Sequence, residues 1–184
     1  MPRSVRDHDE GSPDILVRPM RFELSHPFDA SPEQVSAAML DPAFQETLTD
    51  IGDLHDRHVL AIDDGPDGEM TRRVRCVLAL EMSGMARSML GDADPAWVQE
   101  ERWDESRTHC EWTIHPEVAK DLLSASGTID IVGDGDKASR VVSGDVKVRV
   151  PLYGGKVEGW IVAGVSRAYD EEAELLTRWL EREK

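Results

Sequence analysis

The C-terminal stretch predicts one long amphipathic helix, and the rest of the chain must fold around it. Val157, Trp160, Ile161, Gly164, Val165, Ala168, Leu175, Leu176 and Trp179 recur at helical spacing. Lys156, Glu158, Arg167, Asp170, Glu171, Glu174 and Arg178 mostly fall outside that stripe. From Gly155 to Glu183 such a helix would run about 40 Å at 1.5 Å per residue. It follows an alternating strand, DVKVRV, through Pro151 and the pair Gly154-Gly155. Proline cannot donate to a sheet ladder, and glycine permits a sharp redirection. No other segment predicts a long helix.

Everything before it reads as short elements. Arg21 to Phe28 alternates, with Phe22, Leu24, His26 and Phe28 on one face, which predicts a half-buried strand. In the following DASPEQVSAAMLDPAF, Ser31 is the N-cap, Pro32 fits the first helical position, and Glu33 favours the positive helix end. Val35, Ala38, Met39 and Phe44 form an apolar stripe broken at Asp41-Pro42, so two short helices are expected.

Six more strands follow in HVLAID, TRRVRCVLALEM, AWVQEERWD, THCEWTIHP, SGTIDIV and ASRVVSGDVKVRV. DGPDG, Glu105-Ser106-Arg107 and GDGDK are short connections, which imply antiparallel neighbours. Seven strands with one apolar face and one long helix have an economical solution. A strongly bent antiparallel sheet wraps around the helix.

Composition narrows the function classes. The chain has 184 residues, suited to one domain with a sizeable core. Residues 1–19 are polar, mixed in charge and hold three prolines, so they read as a disordered leader; residues 20–184 read as the domain, with Met20 a candidate natural start. The N-terminal MPRSVRDHDEGSPD lacks an apolar core segment, so no secretory signal is expected and a cytoplasmic location is. No stretch approaches the roughly 20 apolar residues of a membrane span. A net charge of −16 argues against nucleic acid and against docking on anionic lipid. Cys76 and Cys110 sit in apolar runs and read as reduced core thiols.

The order strand, two short helices, six strands and long C-terminal helix resembles the START-like (SRPBCC) superfamily, the helix-grip fold of birch-pollen allergen, polyketide cyclases and lipid-transfer domains. FELSHPFDASPEQVSAAMLDPAF looks like the opening strand and helix start of that superfamily, and VKVRVPLYGGKVEGWI like its last strand and helix entry. More narrowly, residues 20–183 are similar to an uncharacterised actinobacterial family, the domain of unknown function numbered two-five-zero-five. The resemblance implies an α+β helix-grip architecture with a cavity between sheet and helix. It also implies a lipid-like or polyketide-like ligand there. It carries over no catalytic residues.

Tryptophan is the most informative residue type, with five against three Phe and two Tyr. Trp97 and Trp103 share strand parity, Trp112 shares parity with Cys110 and Ile114, and Trp160 lies on the helix stripe. Such side chains line a ligand cavity or fill a core equally well. With Val157, Ile161, Gly164, Met85, Met89 and Glu101 they form the expected cavity lining. Gly164 is unfavourable inside a helix, and close packing or room for a ligand would compensate. Met82, Met85 and Met89 lie in EMSGMARSML between the third and fourth strands. They read as a mobile lid or as a helical turn packed on the sheet edge.

Glu101 lies between the two same-parity tryptophans, Trp97 and Trp103. If that face is inward, it is a buried acid able to orient a polar ligand or act as a general acid. If Val98, Glu100 and Arg102 face inward instead, Glu101 is solvated. His55 and His58 point to opposite faces of a strand, and His109, Glu111 and His115 sit opposite Cys110 and Trp112, so neither group reads as a metal site. Asp130, Asp134 and Asp136 lack calcium-loop spacing. No phosphate-cradling loop, dinucleotide fingerprint or nucleophile elbow occurs, and no cofactor is expected.

Three functions remain. The first is a carrier or sensor for a small hydrophobic molecule. The second is a cyclase- or dehydratase-like enzyme using Glu101 or His26. The third is a ligand-free interaction module with an unassigned protein partner.

Overall fold

The computed structural model describes residues 18–78, 96–118, 120–150 and 152–182. Residues 1–17 of the leader, the segment with Met82, Met85 and Met89, and Pro151 lie outside the described residues.

The chain opens with β1 (Met20–Phe28), α1 (Pro32–Leu40) and α2 (Pro42–Glu46). Ser31 and Gln34 form a reciprocal capping box: Gln34 N–H donates to Ser31 Oγ at 3.3 Å, and Ser31 N–H donates to Gln34 Oε1 at 2.9 Å. Asp41 ends α1 and caps α2, accepting from Ala43 N–H at 2.7 Å, with Pro42 in the first turn. Val35, Ala38, Met39 and Phe44 are all buried, as the stripe predicts.

Then come β2 (Leu54–Asp64), β3 (Met70–Leu78), β4 (Ala96–Trp103), β5 (His109–Pro116), β6 (Leu123–Asp134) and β7 (Lys137–Val148). They form one antiparallel seven-stranded sheet in the order β1-β7-β6-β5-β4-β3-β2. This is the expected α+β helix-grip architecture, with β7 closing back beside β1.

The helix α3 spans Gly154–Arg182, about 43 Å at 1.5 Å per residue. It packs on β7, β1, β2 and α1. The strand-to-helix junction is locked by a residue from the helix itself. Glu158 is buried, and its Oε1 accepts the Val148 N–H at 2.7 Å. A second helix carboxylate, Glu172, is buried beside Arg140. So two acids of α3 face inward, because each satisfies a donor that the sheet presents. Gly164 is explained by close packing: a Cβ there would lie 2.9 Å from Leu78 Cδ1.

Candidate functional site

Alternation settles the inner face of β4. Trp97, Glu101 and Trp103 are buried, whereas Arg102 is exposed. On β5, Cys110 and Trp112 are buried and His109, Glu111 and His115 are exposed. The register pairs Arg72 with Glu101, Glu101 with Trp112, Trp112 with Gly127, and Gly127 with Gly144 across four strand boundaries. The facing glycines make room for the Trp112 indole, whose centroid lies 6.3 Å from that of Phe22.

Between this face and α3 lies a cavity of about 70 Å³; the whole non-atom space within its lining, open solvent included, is about 1010 Å³. Phe22, Trp97, Trp112, Ile114, Ile161, Val162 and Val165 supply apolar wall, and Cys76 lies among them. Of the residues singled out from sequence, Trp97, Glu101, Trp112 and Ile161 line the cavity. Trp103 stands behind Glu101, and Val157, Trp160 and Gly164 are not part of the lining. Met85 and Met89 lie outside the described residues.

The cavity also holds charge. Glu101 is 2% exposed and Arg72 3%. Glu101 Oε2 accepts from Arg72 Nε at 2.8 Å and from the Trp103 indole at 2.9 Å; Oε1 accepts from Gln99 at 2.9 Å. Arg140, fully buried, donates to Glu172 Oε1 at 2.8 Å and to the Tyr169 carbonyl at 3.0 Å. Its guanidinium also stacks 5.3 Å from the Tyr169 ring centroid. His26, outside the lining, accepts from Arg140 at Nδ1 (3.4 Å) and donates from Nε2 to Asp170 (2.9 Å). Arg57, also buried, donates to Gln45 Oε1 at 3.0 Å.

Burial sets the titration of the neutral groups. It pushes the Cys76 thiol up to about 11, with Arg57 and Arg72 opposing and Glu101 and Glu172 reinforcing. Burial likewise raises the Tyr169 phenol and the Cys110 thiol. Both thiols are therefore protonated core groups, not nucleophiles. Among the described residues no cluster of three or more His, Cys, Asp or Glu could hold a metal, and no helix is long and apolar enough to cross a membrane.

Sequence reasoning left out Arg57, Arg72, Arg140 and Glu172. For three of them a signal existed. Arg72 shares strand parity with Val74 and Cys76, Arg140 with Val142 and Val146, and Glu172 follows Ala168 by one helical turn. A charged residue in register with an apolar face marks a buried polar site.

Several solved structures share this architecture. A protein from Thermus thermophilus superposes with a TM-score of 0.64 at 16% identity, covering 90% of this chain and 99% of that one. An aromatase/cyclase from a Streptomyces species gives 0.62 at 13%, covering 89% and 94%. A START superfamily protein from Mycobacterium smegmatis gives 0.54 at 15%, covering 89% and 99%. At these identities the likeness establishes the START-like fold. No curated protein matches the chain. The family model described as "Protein of unknown function (DUF2505)" matches residues 23–180. The chain belongs to the DUF2505 family and carries the START-like fold.

Proposed function

We propose that this domain is a carrier or sensor for a small, largely apolar molecule held between the sheet and α3, and that it works in the cytoplasm. The observation that carries this reading is the cavity itself: an aromatic and aliphatic lining with a few fixed polar groups, the usual make-up of a ligand site. The indole N–H groups of Trp97 and Trp112 are buried there without acceptors among the described residues, two donors that a ligand could satisfy. The cavity of about 70 Å³ is smaller than the roughly 150 Å³ that admits benzene. A larger ligand therefore has to move the wall, and binding is coupled to rearrangement of side chains.

The enzyme reading is weaker. Both Glu101 oxygens already accept hydrogen bonds, and both ring nitrogens of His26 are engaged. Each group is thus committed to structural partners, Glu101 to Arg72, Gln99 and Trp103, and His26 to Arg140 and Asp170.

Native mass spectrometry of freshly purified full-length chain tests the proposal. A co-purified small apolar molecule, lost on denaturation, is the expected result. A bare chain mass, together with an unchanged melting temperature across fatty acids, sterols and aromatic polyketides, would overturn it and leave an interaction module.

A further inference from the structure

The described lining holds three arginines, Arg57, Arg72 and Arg140, against two acids, Glu101 and Glu172. Arg72 is paired with Glu101 and Arg140 with Glu172. Arg57 is only 7% exposed, and its one side-chain partner among the described residues is the neutral oxygen of Gln45. Gln45 is fixed in that orientation because its amide donates to the Met39 carbonyl at 2.5 Å. Among the described residues the lining therefore carries one uncompensated positive charge, inside a chain whose net charge is −16. Buried charges are ordinarily paired.

Hydrogen-bond accounting points the same way. Six buried side-chain donors have no acceptor among the described residues: Arg57 Nη1, Arg72 Nη1, Arg140 Nε and the indoles of Trp97, Trp112 and Trp179. All but Trp179 belong to residues that line the cavity. Among the described residues the site has fewer acceptors than donors and one acid fewer than arginines.

The backbone is bent to put Arg57 there. Strand parity from the buried Leu54 would turn residue 57 outward. The β2–β3 register shifts between His55 and His58, and Asp56 adopts φ 50°. This bulge resets the alternation, so Arg57 points in while Asp56 and His58 are exposed. It is held by Arg75 on Asp56 Oδ2 at 2.5 Å and by Arg57 N–H on the Thr49 carbonyl at 2.9 Å. A left-handed aspartate is a strained choice whose visible consequence is an inward arginine.

The layout is polar at one end. Val148 meets Glu158 and Arg140 meets Glu172, so α3 runs antiparallel to β7. Arg140 meets Glu172 and the Tyr169 carbonyl, Glu101 and Glu172 act on the Tyr169 phenol, and Ile161, Val162 and Val165 earlier on α3 are apolar lining.

We propose that the cavity takes a monoanionic amphipathic ligand, an apolar carboxylic acid, with its carboxylate on Arg57 Nη1 and its apolar body over Trp97 and Trp112. One excess positive charge matches a monoanion; a phosphate dianion would overshoot it. The planar guanidinium fork suits a carboxylate. This inference rests on the cavity being a ligand site, and the test separates the two.

The full-length chain is titrated with octanoate and with 1-octanol at pH 7.5, by calorimetry and tryptophan fluorescence. Octanoate should bind at least tenfold more tightly. Arg57→Gln should weaken octanoate at least tenfold and leave 1-octanol within twofold. Arg57→Lys, which keeps the charge but loses the fork, should fall between. Equal binding of acid and alcohol by the native chain would overturn the anion site and keep the ligand cavity. Binding of neither at millimolar concentration would overturn both. If Arg57→Gln does not fold, the native acid-to-alcohol ratio and Arg57→Lys decide the matter.

Discussion

Glu101→Gln removes one charge from a buried pair at constant volume. With its oxygen at the Oε2 place, glutamine still accepts from the Trp103 indole, now at 2.9 Å, and its NH2 then meets Gln99, whose own amide turns over to accept. What disappears is the partner of Arg72, whose side chain is 4% exposed and 2.8 Å from the carboxylate. Breaking a buried pair from one side costs about 3–5 kcal/mol, because the remaining charge stays desolvated. With no cavity created, the lower end, about 3 kcal/mol, applies. For a chain of this length that lowers the melting temperature by roughly 6–12 °C.

Adding Arg72→Met removes the stranded charge. The double variant should recover at least half of the lost stability, since apolar replacement of a whole buried pair is often neutral. Thermal denaturation of the native chain, both single variants and the double variant completes the cycle. The same substitution leaves the cavity one charge more positive, so octanoate should raise the melting temperature of Glu101→Gln more than that of the native chain. A Glu101→Gln chain melting within about 2 °C of native, or a double variant worse than the two losses added, refutes the reasoning.

Three more outcomes follow from packing. In Gly144→Ala the new Cβ would stand 2.4 Å from Trp112 Cζ2, and overpacking should cost about 1–3 kcal/mol by thermal melt. In Gly127→Ala the Cβ would meet the Ser143 carbonyl at 1.9 Å, so the ladder itself must part and the loss should be larger; the reverse order would count against this register. With Cys76 pushed up to about 11 by burial, and both cysteines buried, a disulfide reagent at pH 8 should leave the folded chain unlabelled over minutes and titrate two thiols in denaturant. Immediate labelling of both in the folded chain would contradict the packing around the cavity.

The architecture was legible because its signals are local and agree with one another. Ser31-Pro32 and Asp41-Pro42 cap the helices they begin. Short connections at DGPDG and GDGDK leave antiparallel pairing as the only economical choice. The 3.6-residue stripe of α3 demands a curved partner. Parity also narrowed β4 to two alternatives. It could not choose between them, because both faces mix apolar and charged residues. The choice is made across strands: Glu101 sits directly opposite Arg72, which shares parity with the buried Val74 and Cys76, whereas Glu100 pairs with Arg73 on the outer face.

The site was less legible for a related reason. Hydrophobic periodicity treats an arginine on an apolar face as noise, yet Arg72 and Arg140 are in register with buried valines and are themselves buried. Their signal is an exception to the pattern, and an exception becomes informative only once its partner on another element is known. Glu101 lies 29 residues from Arg72, and Glu172 lies 32 from Arg140. Arg57 is the harder case. Its inward direction depends on a one-residue bulge at Asp56, and Asp-Arg in a strand carries no turn signal such as glycine or proline. What fixes the bulge is tertiary: Arg75 holds the Asp56 carboxylate, and the Thr49 carbonyl holds the Arg57 amide. The residue that unbalances the cavity's charge is thus the one whose direction local sequence could not supply.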